Sequence, residues 1–145
     1  LEDGYENIIV LDISEQAVRR AKKRLGEKAD KVNWIVADIT EFKTDKKYDL
    51  WHDRATFHFL TTPVEIEHYV ATVKQSVGQY MVIGTFSENG PLKCSGLEVR
   101  RYRDAGLQDI MNDGFEKIRC ITEDHVTPFN TLQNFLFCSF RKKNA

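Results

Sequence analysis

Acidic residues stand where short apolar runs of this sequence end. Asp12 falls at the end of residues 7–13 (NIIVLDI), Asp38 follows residues 32–37 (VNWIVA), and residues 48–52 (YDLWH) run into Asp53 and Arg54. If these runs are strands of an open parallel sheet, their carboxyl ends are where ligands bind. A carboxylate there accepts two hydrogen bonds at once, which is what the paired hydroxyls of a ribose demand, so Asp12 is a candidate for that contact. Asp38, one strand further on, suits the N–H donors of an adenine amino group. The neighbouring Ile13 and Ile39 offer apolar surface for a flat base. Taken singly each acid reads equally well as a turn or cap residue. As a pair, one strand–helix–strand unit apart, they point to a bound nucleoside.

A second group of polar residues clusters around residue 54. His52 and His58 are candidate general bases, because imidazole titrates near neutral pH. Their spacing of six, across a strand end and a turn, does not by itself make them converge. Arg54 is a cation at a strand end, either paired with Asp53 or facing a ligand. Trp51, Phe57, Phe59 and Phe86 lie nearby in the pattern, as core rings or as an aromatic wall for a cationic group. His125 reads as a turn residue or as one that reaches a pocket mouth. No spacing supports a nucleophile pair with Cys94.

These residues need a frame to hold them. Residues 7–13, 32–37 and 48–52 read as buried strands, and residues 80–86 (YMVIGTF) as a fourth. Ser14 is the N-cap of a helix with Ala17, Val18, Ala21 and Leu25 at helical spacing, and Gly26 stops it. Arg19, Arg20, Lys22, Lys23 and Arg24 make its other side basic, the pattern of a solvated face. Thr62, Pro63 and Glu65 form a helix start with a capping box, and Ile66, Tyr69, Val70, Val73 and Val77 are its buried stripe. A loop over residues 87–96 and a helix over 103–112, ending before Gly114, come next. Extended segments 115–125 and 134–141 close the chain around a turn at residues 127–130. The order predicts an α/β fold: a Rossmann-like three-layer sandwich, its sheet mostly parallel and ending in an antiparallel hairpin.

Composition limits the remaining choices. The chain has 145 residues, 41% hydrophobic and 30% charged, with a net charge of −1. That is one globular domain over residues 1–145, and it is too apolar for intrinsic disorder. With 21 basic residues against 22 acidic ones, no nucleic-acid-binding field is evident. No apolar run nears about 18 residues, so no membrane partner is expected. The start lacks the basic-then-apolar pattern of a signal peptide, and Cys94, Cys120 and Cys138 form no C-x-x-C pair. They read as reduced thiols in a cytoplasmic protein. No metal site is expected, and nothing in the pattern fixes an oligomeric state.

The series IIVLDIS, VNWIVADIT, YDLWHDRATFHFL, MVIGTF and a closing hairpin resembles the class I S-adenosylmethionine-dependent methyltransferases over nearly the whole chain. The segment GPLKCSGLEVRRY is similar to a loop of small members of that group. The W-x-D-R-A element resembles the W-D-R-G segment of thiopurine-type methyltransferases. The resemblance implies S-adenosylmethionine as cofactor and a small-molecule or side-chain methyl acceptor. It also implies roles: Asp12 on the ribose, Asp38 and Ile39 on adenine, and Asp53 and Arg54 at the cofactor, with Arg54 facing the methionine end or the acceptor. His52, His58 and Arg54 become the candidate catalytic residues for an in-line displacement, which needs positioning and, for some acceptors, a base. The glycine-rich loop of that group is missing. Residues 1–6 (LEDGYE) read as the end of a first helix, so a strand and helix of about 30 residues are expected before them. Two other readings compete. A nicotinamide-dependent Rossmann oxidoreductase needs G-x-G-x-x-G or Y-x-x-x-K, and none of the five tyrosines has a lysine four residues on. A catalytically inactive binding module on the same fold is the other.

Overall fold

The computed structural model describes residues 1–144, which group into two compact units, residues 1–43 and residues 44 onward. Each unit carries its own sheet.

In the first unit, strands β1 (Ile8–Asp12) and β2 (Val32–Val36) pair in parallel, with Asp12 opposite Val36. They are joined through helix α1 (Glu15–Leu25). The Ser14 hydroxyl accepts a hydrogen bond from the Ala17 N–H at 3.1 Å, the N-cap that its position predicts. At the other end Gly26 turns the chain with φ +57°, a conformation glycine reaches without a Cβ penalty. Val18 is buried while the five basic residues stay outside. Lys22, Lys23 and Arg24 also sit in the last turn, where the helix dipole favours cations. The basic side of α1 is therefore a solvated face, with Arg19 bound to Glu15 at 2.8 Å.

The second unit holds β3 (Tyr48–Arg54), helix α2 (Pro63–Ser76), β4 (Val77–Phe86), a short hairpin of β5 (Lys93–Cys94) and β6 (Leu97–Glu98), helix α3 (Asp104–Met111), β7 (Phe115–Val126) and β8 (Leu132–Lys142). Its sheet runs β3-β4-β8-β7. β3 and β4 are parallel, and β8 opposes both β4 and β7, so one strand of the four runs against the rest. This is the parallel sheet with a closing antiparallel hairpin that the order of elements predicts. Thr62 and Glu65 close the capping box at the start of α2, where a proline occupies the first turn and needs no donor. Tyr69 and Val73 of α2, Met81 and Ile83 of β4, Leu107 and Met111 of α3, and Phe115 and Phe140 of the hairpin are fully or almost fully buried.

Three features depart from the sequence expectation. β3 runs two residues further, through Asp53 and Arg54, and β4 starts at Val77, because these residues complete the parallel ladder. The β5–β6 hairpin stands where the sequence predicts loop; Ser95 and Gly96 both take positive φ, 51° and 80°, which suits a tight two-residue turn. The third is a correction. Cys120 and Cys138, expected as reduced thiols, form a disulfide, while Cys94 is free. The turn at residues 127–130 brings them into direct register on β7 and β8, a juxtaposition that a separation of 18 residues does not reveal. No helix among the described residues is long and apolar enough to cross a membrane.

Candidate active site

In the first unit the two sheet strands end side by side. The Asp12 carbonyl accepts from the Ala37 N–H at 3.2 Å, fastening the end of β1 to that of β2. Oδ1 of Asp12 accepts from the Ser14 N–H at 2.8 Å, closing a small turn into α1. Among the described residues its other carboxylate oxygen has no partner. Ile13 beside it is 69% exposed, a bare apolar side chain at the strand's carboxyl end. Asp38 is more engaged: its Oδ1 accepts from the Thr40 N–H at 2.8 Å and from Thr40 Oγ1 at 2.7 Å. Ile39 is buried. Of the four residues expected to hold a nucleoside, Asp12 and Ile13 present free groups, Asp38 has half its carboxylate committed to a turn, and Ile39 serves the core.

In the second unit, strand alternation sets the end of β3. His52 and Arg54 are exposed, while Asp53 between them is 5% exposed. Its Oδ2 accepts from the Tyr69 hydroxyl at 2.6 Å, and Oδ1 accepts from the Thr56 N–H at 3.0 Å. Arg54, whose bland role would be an ion pair with Asp53, has no ion pair or side-chain hydrogen bond among the described residues. After it Ala55 takes φ +66°, a left-handed conformation unusual for alanine, and its N–H donates to the Gly84 carbonyl at 2.8 Å. Burial raises the Asp53 pKa above the ordinary carboxylate value, opposed by its bonds from Tyr69 and Thr56. Burial, reinforced by the Asp53 carboxylate, raises the Tyr69 pKa well above that of a free phenol. The sequence pattern counts Tyr69 as one more apolar residue of the α2 stripe; nothing in that stripe marks the hydroxyl.

His58 lies elsewhere. Its ring is fully buried, stacked on Phe86 at 4.1 Å with 14° between planes, and neither ring nitrogen has a hydrogen-bond partner. Burial drives its pKa down to about 4, so at neutral pH it is an uncharged ring shut off from solvent. Phe86 in turn meets Phe135 edge-on at 4.9 Å, and Phe135 lies 5.8 Å from Phe137. The Phe137 ring fills the space that a Cβ on Gly84, its partner across β4 and β8, would occupy. Phe57 is likewise core, packed on Tyr69 and Tyr102. The aromatics near residue 54 are thus largely interior rings, with Trp51 and Phe59 only partly covered. His52 is the histidine of this stretch that solvent reaches.

The loop that follows β4 is tied down at its base. Ser87 and Asn134 are hydrogen-bonded through their side chains, the Arg101 guanidinium donates to the Glu88 carbonyl at 2.8 Å and the Gly90 carbonyl at 3.3 Å, and the Tyr102 N–H donates to the Phe86 carbonyl at 2.9 Å. Its β5–β6 tip is largely exposed. No group of three or more potential metal-binding side chains occurs among the described residues.

A family model described as a methyltransferase domain matches residues 2–132. A malonyl-[acyl-carrier protein] O-methyltransferase of Ilyobacter polytropus is 41% identical over 54 residues, 37% of this chain and 20% of that protein. The chain spans about a fifth of the length of that curated relative. The N-methyltransferase NodS from Bradyrhizobium japonicum WM9 superposes with a TM-score of 0.75 at 15% identity, over 95% of this chain and 74% of NodS. A 1,6-didemethyltoxoflavin-N1-methyltransferase from Burkholderia thailandensis, solved with S-adenosylhomocysteine, gives 0.71 at 18% identity, over 99% of this chain and 64% of its own. At such identities the structural likeness establishes the α/β fold and no more.

Proposed function

This chain belongs to the methyltransferase-domain family, and from that premise we propose that it transfers a methyl group from S-adenosylmethionine to a small-molecule or side-chain acceptor. The observation that carries the reading within the chain is the end of β1. Asp12 keeps one carboxylate oxygen free beside the bare side chain of Ile13, which fits a ribose with its base. When bound, S-adenosylmethionine supplies a methyl group activated on a sulfonium. The chain's own residues bind and orient. Asp12 accepts from ribose hydroxyls through charge-assisted hydrogen bonds, Ile13 offers apolar surface to adenine, and Asp38 accepts through its uncommitted oxygen.

In the second unit, the unpaired guanidinium of Arg54 suits a carboxylate, either that of the methionine moiety or one on the acceptor. His52, exposed on the same face of β3, is the base for acceptors that must lose a proton. In this reading His58 and Asp53 do not touch ligand, because one is a core ring and the other is bonded internally. The O-methyltransferase relative is named for an acyl-carrier-protein-bound malonyl group, so a carrier-held carboxylate belongs among the acceptors to try. The cytoplasmic setting read from the sequence stands as part of this proposal. The Cys120–Cys138 disulfide weighs against it, since such bonds are uncommon in the cytosol.

Calorimetry tests the reading directly. S-adenosylmethionine and S-adenosylhomocysteine should bind with a one-to-one stoichiometry and NADH should not; NADH binding in their place would sink it.

A further inference from the structure

The Tyr69 hydroxyl and the Asp53 carboxylate are buried together in the second unit, and neither is needed to fill space there. A phenylalanine would complete the Ile66, Tyr69, Val73 stripe of α2, and an apolar residue would suit the inward face of β3. Burying a hydroxyl or a carboxylate is costly unless each is hydrogen-bonded, and here each answers the other at 2.6 Å. The second carboxylate oxygen does not go spare. It takes the Thr56 N–H at 3.0 Å, and that bond closes the turn over Ala55, whose φ of +66° alanine adopts only under constraint. Immediately before this turn lies Arg54, exposed and unpaired.

We propose that Tyr69 is a positioning residue: through the buried Asp53 carboxylate it holds the turn at residues 54–57 in the conformation that sets the direction of Arg54. The inference rests on the methyl-transfer reading for what Arg54 touches, but not for the latch itself. The chain of contacts is short. The hydroxyl fixes the carboxylate, the carboxylate fixes the Thr56 amide, and the amide fixes the backbone on the far side of Ala55. Loss of the hydroxyl leaves the carboxylate buried with one donor fewer, free to turn or to draw in water, and the turn loses its anchor.

The test is a double-mutant cycle with Tyr69→Phe and Arg54→Ala, read as S-adenosylhomocysteine affinity by calorimetry on the full chain. Tyr69→Phe keeps the ring that packs on Phe57 and removes only the O–H. It should weaken binding about tenfold, the scale of one lost buried hydrogen bond, and in the Arg54→Ala background it should weaken it less than about twofold, because residues that act through one another are non-additive. A purely structural role predicts equal losses in both backgrounds, which overturns the proposal, as does an unchanged affinity in Tyr69→Phe when Arg54→Ala alone weakens binding; where Arg54→Ala alone leaves the affinity unchanged, Arg54 faces the acceptor and exchange at Thr56 decides the latch. Amide hydrogen exchange provides the independent arm: Tyr69→Phe should speed exchange at Thr56 by about tenfold or more while amides at the centre of β4 keep their protection. If the wild-type chain binds no S-adenosylhomocysteine, the methyl-transfer reading fails. Exchange at Thr56 then decides the latch, and an unchanged rate overturns it. Should Tyr69→Phe not fold, Asp53→Asn takes its place in the same cycle with the same non-additivity expected.

Discussion

Lowering the pH should destabilise this protein through a single imidazole. His58 is fully buried, its ring nitrogens have no hydrogen-bond partner, and its pKa falls from 6.5 to about 4. In the unfolded chain the same ring has its ordinary value, so between pH 6.5 and 4 the unfolded state binds a proton that the folded state refuses. The sign follows from linkage: stability is complete above the unfolded value and is lost as pH falls, by up to 1.36 kcal/mol per pH unit. Between pH 6.5 and about 4 the loss reaches about 3 kcal/mol and then levels off. That is a large share of the ~5–15 kcal/mol a domain commands. Urea unfolding of wild type and His58→Leu, at half-unit steps from pH 8 to 4, isolates the effect, since other titrating groups cancel in the difference. Leucine is close in volume and cannot charge. The variant should lack the acid limb between pH 6.5 and 4. Parallel stability curves for the two proteins would refute the assignment, and would mean that the ring finds a partner or a route to water when it protonates.

Three further outcomes follow from the same physical terms. Asp12→Ala should cost roughly 1.5–3 kcal/mol of S-adenosylmethionine affinity, the scale of hydrogen bonds to a charged group; an unchanged dissociation constant removes Asp12 from the ribose. Gly84→Ala drives a methyl into the Phe137 ring and should destabilise by about 1–3 kcal/mol, visible as a lower urea midpoint at unchanged slope. The Cys120–Cys138 bond closes a loop of 18 residues, which by the chain-entropy estimate is worth about 3 kcal/mol. Reductant should therefore lower the melting temperature, and thiol titration of the denatured, unreduced protein should count Cys94 alone; a count of three would remove the bond.

The parts of the fold legible in the sequence are those whose signals are local. Ser14 and Gly26 bracket α1 because a hydroxyl at the cap and a left-handed stop are chemical needs of any helix end. Thr62, Pro63 and Glu65 start α2 for the same reason. The closing hairpin is readable from two extended segments around residues 127–130. What stayed hidden depends on partners far along the chain. Alternation puts His52 and Arg54 on the face opposite Asp53, but not which face is covered. That one binary choice makes Asp53, expected at the cofactor, the buried acid, and leaves Arg54, expected in part as its ion-pair partner, exposed and without an ion pair among the described residues. His58 reads as a base until Phe86 is seen stacked on it. Tyr69 sits in an apolar stripe that any large hydrophobe satisfies, so its hydroxyl shows its purpose only beside a carboxylate 16 positions away.

The row formed by Gly84, Phe137, Phe135, Phe86 and His58 has a consequence for how this chain can vary. Protein interiors have little free volume, and these groups share one allotment of it: the space above Gly84 is the space that Phe137 uses, and the rings beyond are each set by the one before. A methyl gained at one end must be matched by atoms lost further along, so tolerated changes in this row should come as compensated pairs. Gly84→Ala with Phe137→Leu is the simplest of them. The imidazole at the far end then inherits whatever slack the others leave, and its response to acid becomes tied to a glycine three rings away.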